Sequence, residues 1–244
     1  MRNVAFTRST AEKREGGVPP GWLEAIAWIA LITAVGCSAL ILVDIFARGY
    51  RQRMGVMEWV WPITALYLGP FGLVFYWRVG RRSTPKYEAE HSRTQHPYWV
   101  RVAVSSTHCG GGCTLGDIIA ETLIFAFGIT LFGAAIWASF VLDYTFALAL
   151  GIAFQFAAVH AMARLPFATT LGRAAKADVF SLTAFEVGLF GWMALMFWVF
   201  FPDPHLEPDK ASYWFLMQIG MAIGLVTSYP MNILLIRKGI KEAM

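Results

Sequence analysis

The chain has little charge, little cysteine and little histidine. Only 15% of its 244 residues are Asp, Glu, Lys or Arg, where soluble domains carry roughly 25%. With 57% of the residues hydrophobic, one core of this length cannot hold them all, so lipid must solvate part of the surface. Three cysteines are too few for a disulfide framework. A Walker A loop, a GxGxxG after a strand, a GxSxG elbow, an HExxH pair and a CxxCH haem site are all missing. Their absence argues against nucleotide-driven transport by this chain alone and makes an enzyme the less favoured class. The net charge of +4 is spread over loops and reads as an orientation and lipid-headgroup signal, not a nucleic-acid patch. Residues 1–20 are polar and lead into Pro19-Pro20. No small-residue cleavage pattern ends the apolar run that follows, so a disordered cytoplasmic tail and a retained first helix are expected.

What is present is a set of long apolar runs. Six suit a hydrocarbon layer roughly 30 Å thick: Trp22–Ala47, Val56–Trp77, Leu115–Trp137, Val141–Met162, Val179–Phe201 and Tyr213–Ile236. The expected fold is an all-α bundle of six transmembrane helices over residues 21–244, with a polar cytoplasmic loop at 78–107. Prolines and glycines in the second run (Pro62, Gly69, Pro70) and Pro230 in the sixth predict kinks in those two helices. With six spans, all but four of the 20 Lys and Arg fall on the side of the termini. Arg48, Arg51, Arg53 and Lys210 remain outside. The positive-inside rule then places both termini in the cytoplasm. Gly220 and Gly224 form a GxxxG pair that allows close helix contact, within the chain or in a homo- or hetero-oligomer.

The chemistry-bearing segment is His108-Cys109-Gly-Gly-Gly-Cys113-Thr-Leu-Gly-Asp117, running on to Glu121. Cys109, Cys113, Asp117 and Glu121 are each four residues apart, which places them roughly on one helix face. The glycines also fit a tight turn at a helix N-terminus, where free N–H groups favour a thiolate. Both geometries bring two soft sulfur ligands together at the cytoplasmic mouth of the third span. His108 or His160 is the expected third ligand. A carboxylate in mid-membrane costs roughly 2.5–3.5 kcal/mol on insertion scales. Asp117, Glu121, Glu186 and Asp178 are therefore expected to face the bundle interior, the first three sharing one site as charge compensation or proton carriers. Asp44 and Asp143 read as helix-end residues. Met217, Met221 and Met231 are candidate relay ligands. Thiolate, thioether and imidazole suit Cu(I), and Zn(II) accepts the same Cys and His.

Several segments resemble one known family. They are Trp61-Pro62-Ile-Thr-Ala-Leu-Tyr67 with Gly69-Pro70, the His108–Glu121 segment, Leu142-Asp143-Tyr144, Lys176-Ala-Asp178-Val-Phe-Ser181 and Thr227-Ser-Tyr-Pro230-Met-Asn232. Over residues 20–244 the chain is similar to the membrane-protein family catalogued as domain of unknown function 4396. The resemblance implies a multi-pass protein of the bacterial inner membrane and an association with copper handling; it supplies no activity. The leading expectation is binding and relay of a soft metal ion, Cu(I) before zinc, with a cytoplasmic metallochaperone as the expected partner. A membrane thiol redox enzyme and a noncatalytic subunit of a larger complex are the alternatives.

Overall fold

The structure, a computed structural model, describes residues 19–92, 95–163 and 166–241. It is all helical, apart from one isolated β-bridge between Leu131 and Ala134. The helices are α1 (Gly21–Leu42), α2 (Met57–Leu68), α3 (Pro70–Phe75), α4 (Pro85–Glu90), α5 (Tyr98–Phe127), α6 (Ala135–Ala163), α7 (Phe167–Leu195) and α8 (Ala211–Arg237). Wider π-type turns extend α1 to Ala47, α3 to Gly80 and α7 to Phe200. Among the described residues five helices are long and apolar enough to cross a membrane: α1, α5, α6, α7 and α8. Large apolar side chains such as Trp22, Ile29 and Phe71 stay exposed on the bundle surface, as lipid-facing residues do.

The second apolar run, expected as a sixth span, turns back on itself. Gly69 has φ 54° and ψ −128°, a conformation closed to most L-residues. Pro70 then opens α3 at its first position. The two pieces pack antiparallel. A Cβ on Gly72 would lie 2.9 Å from the Ala65 Cα, and one on Gly80 would enter the Trp61 ring. Trp61 also packs edge-on against Phe75 and Tyr76. Both ends of this hairpin lie beside the end of α1. Arg51 pairs with Glu58 at 2.9 Å, Arg53 with Glu88 at 2.5 Å, and Lys86 donates to the Arg48 carbonyl at 2.6 Å. Tyr76 donates to Asp44 at 2.9 Å, and Arg81 lies 3.4 Å from the same carboxylate. Asp44 is thus fully buried in a polar knot and is not a simple helix-end residue.

Because the hairpin enters and leaves at one end, the start of α1 and the end of α8 lie at opposite ends of the bundle. Glu24, in the first turn of α1, accepts from the Ala211 and Ser212 backbone N–H groups that open α8. The start of α1 and the start of α8 therefore lie together, and the end of α8 lies at the far end of the bundle. One end carries Arg48, Arg51, Arg53, Arg81, Lys86 and Arg237. The other carries Glu24, Asp203, Glu207 and Asp209, with Lys210 as the one cation there among the described residues. These are called the basic and acidic ends.

The third long helix also departs from expectation. Residues 98–107, expected in a loop, form the first turns of α5, and residues 128–137, expected in the span, form a turn and the start of α6. Gly128 ends α5 in the left-handed conformation. The polar run Ser105–His108 lowers the local hydropathy, yet all four residues are buried inside the protein. Among helices the backbone has no better partner than itself, so the helix runs through.

Candidate functional site

With α5 starting at Tyr98, the Cys109–Cys113 segment sits at its middle and not at a membrane mouth. The three glycines do not form a turn. A Cβ on Gly112 would lie 2.8 Å from the Gly151 Cα, and one on Gly116 would lie 2.7 Å from the Ala147 Cα. The pairs Gly112/Gly116 and Ala147/Gly151 let the α5 and α6 backbones touch, as small residues spaced by four do in membranes. Gly188 and Gly224 do the same for α7 and α8, so the expected GxxxG face is used inside the chain.

Residues four apart on a helix are offset by about 40°, so the row from Cys109 to Glu121 winds around α5 and meets different neighbours. Cys109 and Cys113 are free, buried thiols within hydrogen-bonding reach of each other. Tyr67, at the hairpin tip, faces both. Cys113 also faces Glu186 of α7. One turn on, Asp117 lies in electrostatic reach of Glu186 and Glu121, and Asp143 of α6 faces Glu121, Asp117 and Glu186. Tyr213 of α8 donates to Glu121 Oε2 at 2.6 Å. All four carboxyl groups are at least 98% buried. Both oxygens of Asp117 have no hydrogen-bond partner among the described residues, while Asp143 lies within hydrogen-bonding reach of Glu121 and Glu186 within that of Cys113. The expectation that Asp117, Glu121 and Glu186 share one interior region fits this arrangement.

Sequence reasoning missed Asp143. The span had been expected to begin at Val141, which put Asp143 at the edge; with α6 starting at Ala135 it lies two turns inside. Tyr213 and Trp61, aromatic residues near the ends of apolar runs, are both buried. Tyr213 in fact serves Glu121. Met217 and Met221 belong to the same buried cluster as Cys109, Cys113 and Tyr67, while Met231 is only half-buried near the basic end.

His108 does not join the thiols. It packs edge-on against Phe154 with both ring nitrogens unpartnered, and its charged neighbour is Lys241. After α8 the chain reverses at Gly239 (φ 66°) and folds back, so that Lys241 is buried with its ammonium 3.8 Å from Asp178 Oδ1. This pair, with His108, closes the row at the basic end. Nearby, Asn232 donates to Ser106 Oγ at 3.1 Å, Ser181 Oγ at 2.8 Å and the Ser228 carbonyl at 3.0 Å, tying α8 to α5 and α7. The side chain of His160 lies outside the described residues. Among the described residues no three His, Cys, Asp or Glu side chains converge as a ready-made metal cage. The donors that do come together are two thiols, with a carboxyl and a phenol against them.

At the acidic end a cavity of about 440 Å³ opens between the ends of α5, α6, α7 and α8. It is lined mostly by apolar side chains, with Ser139, His205, Glu207 and Tyr213 as polar groups and Glu121 at its inner wall.

No curated protein and no solved structure matches the chain. A family model described as a domain of unknown function, DUF4396, matches residues 98–241. That span runs from the first residue of α5 to Lys241 and includes the thiol pair and all four carboxylates. It takes in more than half of the chain, which belongs to the DUF4396 family.

Proposed function

We propose that this is a multi-pass membrane protein that binds a soft monovalent cation, Cu(I), at Cys109 and Cys113 and relays it through the bundle. The observation that carries this reading is the buried thiol pair at the middle of α5, facing the tip of a hairpin that turns back among the helices. Discontinuous helices meeting near mid-bilayer are a recurrent way to build an ion site inside a membrane protein. Two thiolates with thioethers in the same cluster suit Cu(I). A structural Zn(II) site takes four ligands, and His108 is turned away to Phe154 and Lys241. Burial also favours a ligand pair over an exchanging dithiol, because thiol exchange needs an incoming sulfur to reach its target. Met217 and Met221 lie along the route toward the acidic end and serve as weaker ligands.

The distribution of charge orients the protein. The basic end faces the cytoplasm under the positive-inside rule. In a bacterium this is the inner membrane, with the C-terminus inside and the N-terminus outside. A metallochaperone would then deliver the ion at the basic end.

The test is Cu(I) titration of detergent-purified protein against a competing chelator. Cys109→Ser and Cys113→Ser each lose at least tenfold in affinity, since one thiolate cannot chelate, and Cys37→Ser is unchanged. Wild-type affinity in both single variants would remove the thiol pair as the site.

A further inference from the structure

We infer that the cavity at the acidic end is a binding site for an amphiphilic amine, an ammonium head carried on an apolar chain. The inference is independent of the reading of Cys109 and Cys113 as an ion site.

At about 440 Å³ the cavity falls within the range of roughly 300–1,000 Å³ usual for small-molecule sites, which are mostly apolar with a few placed polar groups. Phe125 both lines it and stands 46% exposed on the bundle surface, so an apolar chain lying in the cavity can continue toward lipid. The polar groups of the wall accept more than they donate. Glu121 is buried, and the Tyr213 hydroxyl is already committed to its Oε2 at 2.6 Å. Glu207 is a second carboxylate, at an exposed position. His205 stacks on Phe197 with ring centroids 3.6 Å apart, and its Nδ1 lies 2.9 Å from the Phe201 carbonyl oxygen. A carbonyl only accepts, so Nδ1 carries the hydrogen, and Nε2 of the neutral ring is left as an acceptor. The hydroxyls of Ser139 and Thr130 either donate or accept, and no Lys or Arg lines the cavity among the described residues. An ammonium group has three donors and no acceptor. Its charge suits two carboxylates set in apolar walls, where attraction is less screened than in water. An anionic head would meet Glu121 and Glu207 as like charges, which costs affinity. A chain without a polar head would cover these acceptors and leave them unpaired.

Binding of radiolabelled dodecylamine to the full chain in phosphatidylcholine nanodiscs, measured over empty discs, tests this. The wild type takes up a single molecule per chain and saturates. Dodecanoate and dodecanol, which share the chain but not the head, compete at least about tenfold less well than unlabelled dodecylamine. Glu121→Gln, which removes the buried charge, weakens binding at least about tenfold, and Ser139→Leu, which fills the cavity beside an unaltered Glu121, does the same. Glu207→Gln, at an exposed position, weakens it about twofold, while Asp203→Asn, at the same end but outside the cavity lining, leaves it unchanged. Should Glu121→Gln or Ser139→Leu fail to fold, the contrast between Glu207→Gln and Asp203→Asn and the competition by dodecanoate decide the question. Uptake no greater than that of empty discs, equal competition by dodecanoate, wild-type affinity in folded Glu121→Gln or Ser139→Leu, or equal losses in Glu207→Gln and Asp203→Asn each overturn the site. Phosphatidylethanolamine added to the discs separates two sources of the amine. If it displaces dodecylamine, the site takes a lipid headgroup; if binding is unchanged, the site takes a free amine. Cu(I) titration of the same preparation reads the thiol pair, so either reading can fail alone.

Discussion

At the scale of residues, the glycines have a structural use that their sequence context obscures. Three consecutive glycines cost helix stability in water, about 1 kcal/mol each relative to alanine, and so read as a turn. In this protein the same absence of Cβ allows α5 and α6 to approach. Gly116→Val forces a side chain into the Ala147 backbone, and overpacking of this kind costs typically 1–3 kcal/mol. Gly111 is different: a Cβ there meets Val60 Cγ2 at an ordinary 3.4 Å. Gly111→Ala is therefore expected to melt within a degree or two of wild type in detergent, or slightly higher, while Gly116→Val melts clearly lower. Equal melting of the two variants would contradict the close α5–α6 contact. The identities of the site residues were legible in the sequence, since carboxylates and thiols among apolar helices stand out. Their partners were not. Asp143 and Tyr213 are joined to Glu121 by packing of helices distant in sequence, and no local pattern encodes that.

At the scale of elements, the hairpin shows how an apolar run of spanning length can fail to span. The run from Val56 to Trp77 is long enough, and its prolines and Gly69 were visible as a disruption. What the sequence did not reveal is that the chain reverses at Gly69 instead of bending. That depends on a receptor for the broken helix end. The last carbonyls of any helix lack intrahelical donors, and at the end of α2 the Leu66 carbonyl accepts from the Gln218 side chain of α8 at 2.6 Å. Gln218→Leu leaves that carbonyl unpartnered at an expected cost of about 1–3 kcal/mol, read as a lowered melting temperature. A Gln218→Asn variant, too short to reach, should resemble it. An unchanged melt in both variants would mean that the bond contributes nothing to holding the tip.

At the scale of the whole molecule, one reversed run changes the sidedness of everything before it. The apolar content alone establishes a helical membrane protein, but the parity of crossings depends on how Val56–Trp77 is routed. With five crossings, reporter fusions after Arg53 and at the C-terminus should read cytoplasmic, and a fusion after Pro208 should read extracytoplasmic. Six crossings would instead place Arg53 outside, so that single fusion distinguishes the two arrangements. The basic end gathers Arg51 and Arg53, which six-span counting puts outside, together with Arg81, which it puts inside, around the hairpin feet. The Gln218–Leu66 bond also bears on how the molecule is made. Leu66 leaves the ribosome 152 residues before Gln218, and the thiol pair that the tip faces follows it by some forty residues of chain. While α1 and the hairpin are already at the translocon, neither α5 nor α8 exists to receive the tip. The tip therefore gains its α8 partner only once the last helix has been synthesised.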